Sequence, residues 1–394
     1  MASPRGPHGA AGEARARALP LTGPADAARR LEAIGAGRPS QRFLAAASLG
    51  FLEWPGRRPA PAAEALDRAG GLVTAPDRTL LAGDVPALAE AAAAQAPDLA
   101  RWLRAQAVPP SGPPPLRCGP FLLHFGLKTY IVAIVNRTPD SFSDGRGSVP
   151  PVEEAVAAAW AGYAAGADIV DVGAESSEER DGGTLAPQRE AERLLPVLHA
   201  LRDLPALVSV DSRRGSVARA ALAVRPVICN DVEALADPEL ATAAAEAGAP
   251  VVLMHSGPIP PGQDALPTIA GRLEARLRQA CALGIPARQV ILDPGFGFGT
   301  TLDEDLLVTR RLGELRALGR PLLHAPSRKR TIGRVLSFPD TIPERLPGTA
   351  AAVAIGIAAG ADLIRVHDVL EMARVARMTD ALVRGPAWRD LTAP

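Results

Sequence analysis

Several polar residues of this sequence stand where short apolar runs end, and their types suit ligand binding. Apolar stretches in the second part of the chain finish at Asp211, Asn230, Asp293 and Arg365. Buried carboxylate, amide and cationic groups are costly unless they pair with each other or with a ligand. The pattern therefore predicts a pocket built from many strand ends rather than from one linear motif.

The amide and carboxylate groups of this set suit a flat heteroaromatic ring that alternates donors and acceptors. An Asn amide presents a donor and an acceptor in one plane, and an Asp carboxylate accepts two N–H bonds. The only two asparagines of the chain, Asn136 and Asn230, both belong to the set, as does Lys329, one of two lysines. Lys329, Arg365 and His367 add positive charge, which suits a phosphate group.

A regular alternation of strands and helices must position these residues. Eight Val/Ile/Leu-rich strands are predicted at Tyr130–Asn136, Ile169–Gly173, Leu207–Asp211, Val227–Asp231, Val251–His255, Val290–Asp293, Pro321–Ala325 and Leu363–His367. Helical patterns lie between or after them at Val152–Ala165, Pro187–Leu201, Pro238–Ala247, Ala265–Leu283, Glu304–Leu318 and Met372–Val383. This count in roughly 270 residues is typical of a (β/α)8 TIM barrel, whose chemistry lies at the C-terminal ends of the strands. An open doubly wound parallel sheet is the alternative.

The chain before the barrel is organised differently. Residues 1–22 are rich in Pro, Gly, Ala and Arg, and we expect a disordered tail there. Mixed helical and strand patterns predict a small α/β accessory domain over 23–107. A Pro-rich linker over 108–118 then leads to the barrel domain, predicted over 119–390.

Composition excludes several classes of protein. Lys+Arg and Asp+Glu are both 43, so the chain has no overall basic charge for gripping nucleic acid. The N-terminus has no apolar core of a secretory signal, and no apolar run is long enough to span a bilayer comfortably. The three cysteines show no paired spacing, which is typical of a reducing cytoplasm. We expect a cytoplasmic protein whose partners are small molecules.

The order and spacing of the motifs over residues 129–383 resemble the dihydropteroate synthase family. The matching motifs are Asn136–Gly145, Ser209–Ser212, Asn230–Val232, Leu253–His255, Asp293–Gly299, Ser327–Lys329 and Arg365–Val369. The resemblance implies a transferase that joins p-aminobenzoate to 6-hydroxymethyl-7,8-dihydropterin pyrophosphate and releases pyrophosphate. It also implies a Mg²⁺ cofactor and a homodimer.

The resemblance also implies a role for each matching residue. The pterin would be held by Asp211, Asn230, Val232, Met254, Asp293, Phe298 and Lys329. The pyrophosphate would be held by Asn136, Arg365 and His367, with Mg²⁺ at Asn136. The p-aminobenzoate would contact Phe142, Ser177 and Ser327. The catalytic groups would be Asp211, Asp293, Lys329 and Asp140.

Some positions depart from the family pattern. Glu178 stands where the family carries an arginine, Thr300 replaces a lysine, and Ala325 replaces a glycine. The positions that would bind the pterin therefore match the family pattern well. Whether the positions on the arylamine side still bind p-aminobenzoate is left open. Two alternatives remain, a folate-dependent methyltransferase and a non-catalytic pterin-binding protein. The predicted pyrophosphate clamp favours the synthase, because a methyltransferase has no need for one.

Overall fold

The computed structural model describes residues 113–137, 149–173, 185–338 and 341–384, together with shorter stretches between residues 17 and 103. The chain divides into two compact units, Met1–Ala107 and Val108–Pro394. The boundary falls where the sequence predicts the linker to begin. In the described part of the chain, no helix is both long and apolar enough to cross a membrane.

The N-terminal unit contains an antiparallel sheet and at least one helix. Its strands are β1 (Arg17–Ala18), β2 (Phe51–Pro55), β3 (Gly70–Thr74) and β4 (Arg78–Gly83), in the order β1-β2-β4-β3, and helix α1 spans Val85–Ala92. Leu66, Leu81, Leu88 and Leu103 are buried in its core. The sequence predicts a disordered tail over residues 1–22, but Arg17–Ala18 within it form strand β1 and pair with β2. The rest of residues 1–22 lies outside the described residues.

The second unit is built on eight parallel strands. These are β7 (Tyr130–Asn136), β8 (Ile169–Gly173), β9 (Leu207–Asp211), β10 (Val227–Asp231), β11 (Val251–Met254), β12 (Val290–Asp293), β13 (Leu323–His324) and β14 (Leu363–Val366). They pair in the order β12-β11-β10-β9-β8-β7-β14-β13, and a parallel bridge between Leu292 and Leu322 joins the two ends. The prediction of a (β/α)8 barrel is confirmed, and an open doubly wound sheet is excluded.

Helices surround the strands. They are α2 (Val152–Ala164), α3 (Pro187–Ala200), α4 (Gly215–Val224), α5 (Pro238–Ala247), α6 (Ala265–Ala282), α7 (Leu302–Arg310), α8 (Arg330–Val335), α9 (Leu346–Ala358) and α10 (Val369–Val383). The helix predicted over Glu304–Leu318 is interrupted, since α7 ends at Arg310 and a 3-10 helix follows over Leu312–Leu318. Strand β13 is shorter than predicted, because Pro321 has no N–H and the Leu322 N–H bonds the Asp362 carboxylate at 3.0 Å.

A hairpin closes the N-terminal end of the barrel. Strands β5 (Leu116–Cys118) and β6 (Phe121–Leu123) pair antiparallel, so residues 116–118, predicted to lie in the linker, belong to the barrel unit. Leu116 is fully buried in one apolar cluster with the first inward-facing residues of the barrel strands, such as Ile169, Leu207 and Ile291. This apolar floor leaves polar interior positions only toward the opposite end.

We expect Leu116→Ala to lower the free energy of unfolding of the barrel unit by about 3 kcal/mol, because it leaves a cavity in a closed core. Urea unfolding monitored by circular dichroism measures the loss. Leu122→Ala on the same hairpin is the matched control, since Leu122 is 40% exposed. Equal effects of the two substitutions would show that the hairpin does not seal the core.

Candidate active site

The strand register brings the inward-facing polar residues to one end of the barrel. Asp171 pairs in register with Ser209, Asp211 with Asn230, and Met254 with Asp293. Because side chains of a strand alternate between its two faces, Asp171, Asn230 and Asp293 lie one layer above floor residues of their own strands, and Asp211 lies two layers above Leu207. The strand register therefore gathers these polar side chains toward the C-terminal end of the barrel.

A buried ion network crosses this polar layer. The Arg365 guanidinium donates from Nε to Asp171 Oδ2 at 2.7 Å and from a terminal nitrogen to Asp211 Oδ2 at 3.0 Å. The Asn230 amide donates to the same Asp171 oxygen at 3.2 Å. Arg365, assigned by resemblance to pyrophosphate alone, is thus also the link between two carboxylates of the barrel interior.

Asp171 was missed at the sequence level although it is fully buried at the centre of this network. It lies inside an apolar run, between Val170 and Val172, rather than at a strand end. One signal in the sequence could have identified Asp171. It stands two residues after Ile169 in the same strand, so its charged side chain had to face the barrel interior. Its role depends on Arg365, which is far away in the sequence.

Burial shifts the pKa values of both Asp293 and Lys329, and the charges of the two groups act on each other. Burial raises the pKa of Asp293 to about 6, although the Gly295 N–H bonds its carboxylate at 2.7 Å. Burial, followed by the charge of Arg365, lowers the pKa of Lys329 to about 8. The Lys329 ammonium lies 3.9 Å from the centre of the Phe298 ring, a favourable cation–π contact.

Glycines let the loop after β12 approach the loop after β11. Gly295 has φ +74°, and a Cβ there would lie 1.9 Å from the His255 carbonyl oxygen. Gly299 has φ +88°, and a Cβ there would lie 2.5 Å from the Gly257 backbone. Only glycine therefore fits these two positions, which set Phe298 against the cleft.

The loop after β10 is held in an unusual backbone conformation by Asp231. Its carboxylate accepts the N–H groups of Glu233 at 2.8 Å and Leu235 at 2.6 Å, while Ala234 and Leu235 both have positive φ. This turn places Val232 in the wall of the cleft. Asp231 is therefore a structural residue of the Asn-Asp motif, whereas Asn230 points into the barrel.

The loops after β13 and β14 are joined by hydrogen bonds. Ser327 Oγ lies 3.0 Å from His367 Nδ1 and accepts the His367 N–H at 3.1 Å. Arg328, with φ +58°, makes a bidentate ion pair with Asp368. Burial, followed by the charges of Arg365 and Arg328, lowers the pKa of His367 to about 3. His367 is therefore neutral at pH 7 and supplies hydrogen bonds rather than the positive charge expected from the sequence.

An open cleft of about 730 Å³ lies among the loops that follow β9, β10, β11, β12 and β13. Four predicted pterin residues, Val232, Met254, Phe298 and Lys329, line it directly. The remaining three, Asp211, Asn230 and Asp293, lie at the adjoining C-terminal ends of β9, β10 and β12. A flat ring would meet carboxylate and amide groups at its edge and apolar side chains on its faces.

The predicted arylamine side lies largely outside the described residues, since Asp140, Phe142, Ser177 and Glu178 all do. Asn136 is described and ends β7 beside the neighbouring strand, where its side-chain oxygen would lie 3.4 Å from a Cβ at Gly173. Within the described ranges, no group of three or more His, Cys, Asp or Glu residues could hold a metal ion.

Comparison with known proteins places this barrel among the pterin-binding enzymes. Residues 132–367 match the family described as pterin binding enzyme. A dihydropteroate synthase of Synechocystis sp. is 41% identical over 285 residues, which cover 69% of this chain and 96% of that protein.

Solved structures of the Xanthomonas albilineans dihydropteroate synthase have the same fold. The complex with 4-aminobenzoic acid has 34% identity and a TM-score of 0.62, covering 72% of this chain and 100% of that one. The complex with 7,8-dihydropteroate also has 34% identity and a TM-score of 0.62, covering 71% and 100%.

We expect Asp171→Ala to destabilise the barrel unit by on the order of 3–5 kcal/mol, because it removes a buried partner of the Arg365 charge. Thermal or urea unfolding measures the change. Asp203→Ala, at an exposed position, is the control for losing a carboxylate. If both variants unfold alike, the network does not stabilise the barrel.

Proposed function

Because the chain belongs to the pterin-binding enzymes, and within them to the dihydropteroate synthases, we infer that it condenses 6-hydroxymethyl-7,8-dihydropterin pyrophosphate with p-aminobenzoate. The products are 7,8-dihydropteroate and pyrophosphate, and the protein is a transferase of folate biosynthesis. The observation that supports the inference is that four of the seven predicted pterin residues line one cleft, while the other three end neighbouring strands of a barrel with the family's sequence. The residue roles below are proposals that follow from the geometry.

The pterin end would be recognised by hydrogen bonds from the polar layer. Asp293 and Asp211 would accept N–H groups of the ring, and the Asn230 amide, oriented by Asp171, would complete the edge. Met254, Val232 and the Phe298 ring would enclose the faces. Preorganised groups of this kind lose no energy to rearrangement when the ligand binds.

The reaction breaks the bond between the exocyclic methylene carbon and the pyrophosphate oxygen, and the arylamine nitrogen forms the new bond to that carbon. Positive charge develops on the pterin as the leaving group departs, and the Asp211 and Asp293 carboxylates would stabilise it. The amine then loses a proton to give dihydropteroate. No nucleophile of the protein is required, since the substrates supply both reacting atoms.

Arg365 and His367 would hold the departing pyrophosphate. Two carboxylates occupy one edge of the Arg365 guanidinium, and its other N–H groups, which bond no residue in the described part of the chain, would bind the phosphate oxygens. His367 would donate a hydrogen bond, with Ser327 fixing its ring.

We propose Mg²⁺ as the cofactor, with Asn136 as its protein ligand. A neutral amide oxygen at the end of β7 suits a hard cation that keeps several waters and takes its other ligands from substrate phosphates. Mg²⁺ needs no cluster of acidic residues for this mode of binding, which agrees with the donor set at this end of the barrel. When bound, it would neutralise charge on the leaving pyrophosphate.

The p-aminobenzoate site would be formed by Ser327 together with Phe142 and Ser177, and Asp140 would close the loop after β7 over the reacting groups. Glu178 reverses the charge that the family carries in the loop after β8. We therefore propose that the carboxylate of p-aminobenzoate is held by the loop after β13, which carries Ser327, Arg328 and Lys329.

We also propose a cytoplasmic homodimer. Support for self-association comes from an apolar face beside α8 and α9, where Val335 is 52%, Ile355 51% and Phe338 49% exposed. Cys118, Cys229 and Cys281 are all free thiols, as a reducing compartment requires. Sedimentation at micromolar concentration should give the dimer mass, and Ile355→Asp should shift it toward the monomer.

The decisive test is a steady-state assay with the pterin pyrophosphate, Mg²⁺ and p-aminobenzoate, in which we expect stoichiometric dihydropteroate and pyrophosphate. Lys329→Ala should reduce turnover about a hundredfold, the size expected for one preorganised charge contact. Tight pterin binding by the wild type without pyrophosphate release would instead identify a non-catalytic pterin-binding protein.

The pH dependence of kcat/KM for the pterin substrate should be bell-shaped. Activity should fall as pH drops through about 6, because Asp293 becomes protonated and no longer accepts two N–H bonds. It should fall again as pH rises through about 8, because Lys329 loses its charge. Lys329→Arg should remove the basic limb, since a guanidinium stays protonated. A wild-type profile that is flat through both values would contradict these assignments.

A further inference from the structure

The carboxylate of Asp305, on α7, lies behind the wall of the cleft. It is 1% exposed and accepts hydrogen bonds from three groups. The Gly297 N–H donates to Oδ1 at 2.8 Å and the Thr300 hydroxyl donates to the same oxygen at 2.5 Å, while the Thr331 hydroxyl donates to Oδ2. One buried carboxylate thus joins the loop after β12 to the start of α8.

The three donors border the cleft, whereas Asp305 itself does not line it. Gly297 lies against the stem of Lys329, since a Cβ there would be 3.5 Å from Lys329 Cδ. Thr331 follows Lys329 by two residues in the sequence. The carboxylate therefore holds the chain on both sides of the contact between Phe298 and the Lys329 ammonium.

We propose that Asp305 is a positioning residue of this reaction, which fixes the Phe298 wall and the Lys329 ammonium relative to each other through Gly297, Thr300 and Thr331. Nothing in the sequence singles it out, because it stands on a helix among other acidic residues. The inference rests on the proposed function, since it assigns a residue that supports the same pterin cleft.

The charge of Asp305 supports the same role. Burial and Arg365 lower the pKa of Lys329, whereas Asp293 and Asp305 raise it. Asp305 thus helps to keep Lys329 protonated at neutral pH as well as holding its loop.

Thr300 gives this arrangement a feature of its own. Where the family pattern carries a lysine after Gly-Phe-Gly, this chain has a hydroxyl that bonds the Asp305 carboxylate. A neutral donor leaves the carboxylate charge uncompensated, whereas an ammonium would offset it. Asp305 therefore acts on Lys329 without a competing cation at position 300.

The test compares Asp305→Asn with Asp303→Asn, an exposed neighbour on the same helix that loses the same charge. We expect Asp305→Asn to raise the Kd for the pterin pyrophosphate about tenfold, the size of one charge-assisted hydrogen bond. It should also move the basic limb of the kcat/KM profile to lower pH. Asp303→Asn should change neither. Calorimetry measures the Kd, and the assay above gives the pH profile.

Two further variants separate positioning from a general loss of structure. Thr331→Val removes one hydrogen bond and keeps the Asp305 charge, so it should raise the Kd for the pterin pyrophosphate without moving the basic limb of the pH profile. If Asp305→Asn fails to fold, Thr331→Val takes its place as the test. In a Lys329→Ala background, Asp305→Asn should have much less effect on the Kd than in the wild type.

The proposal is overturned if Asp305→Asn folds and behaves like Asp303→Asn. It is also overturned if the effects of Asp305→Asn and Lys329→Ala on the Kd are fully additive in the double variant. If Asp305→Asn does not fold, it is overturned when Thr331→Val binds the pterin as tightly as the wild type. A wild type that binds the pterin but makes no dihydropteroate would instead refute the proposed function, and the binding comparisons would still decide the role of Asp305.

Discussion

The ion network of Arg365 with Asp171 and Asp211 is the interaction on which the site depends. Its three members come from β14, β8 and β9, which lie within one run of four neighbouring strands, β14-β7-β8-β9. Taking such charges out of water is expensive unless each meets a partner with good geometry. The network therefore requires the correct strand register, and its Asp171 carboxylate accepts a hydrogen bond that orients the Asn230 amide.

The network also changes how the cationic cluster should be understood. Arg365 already faces two carboxylates, His367 is neutral at pH 7, and Lys329 sits among Asp293, Asp305 and Asp211. The three basic positions predicted from the sequence therefore do not form a free cationic cluster, whereas the cleft is also lined by Arg213, Arg330 and Arg334.

The barrel could be read from the sequence because its strands are locally encoded. The runs at Ile169–Gly173, Leu207–Asp211 and Val227–Asp231 are observed with their predicted bounds, since a buried parallel strand is apolar along its whole length. What sequence reasoning missed depends on distant partners. The hairpin strand Leu116–Cys118 is stabilised by the floor of the barrel, and the positions of Asp171 and Asp305 have meaning only beside residues far along the chain.

The scarcity of lysine in this chain acquires a physical reason at position 329. Arginine serves elsewhere, for example at Arg328, where a planar guanidinium makes a bidentate pair with Asp368. At position 329 the cation must fit over the Phe298 ring beside the guanidinium of Arg365, and a compact ammonium needs less room. The residue type that the composition otherwise avoids is thus the one that brings the more compact cationic group to this position.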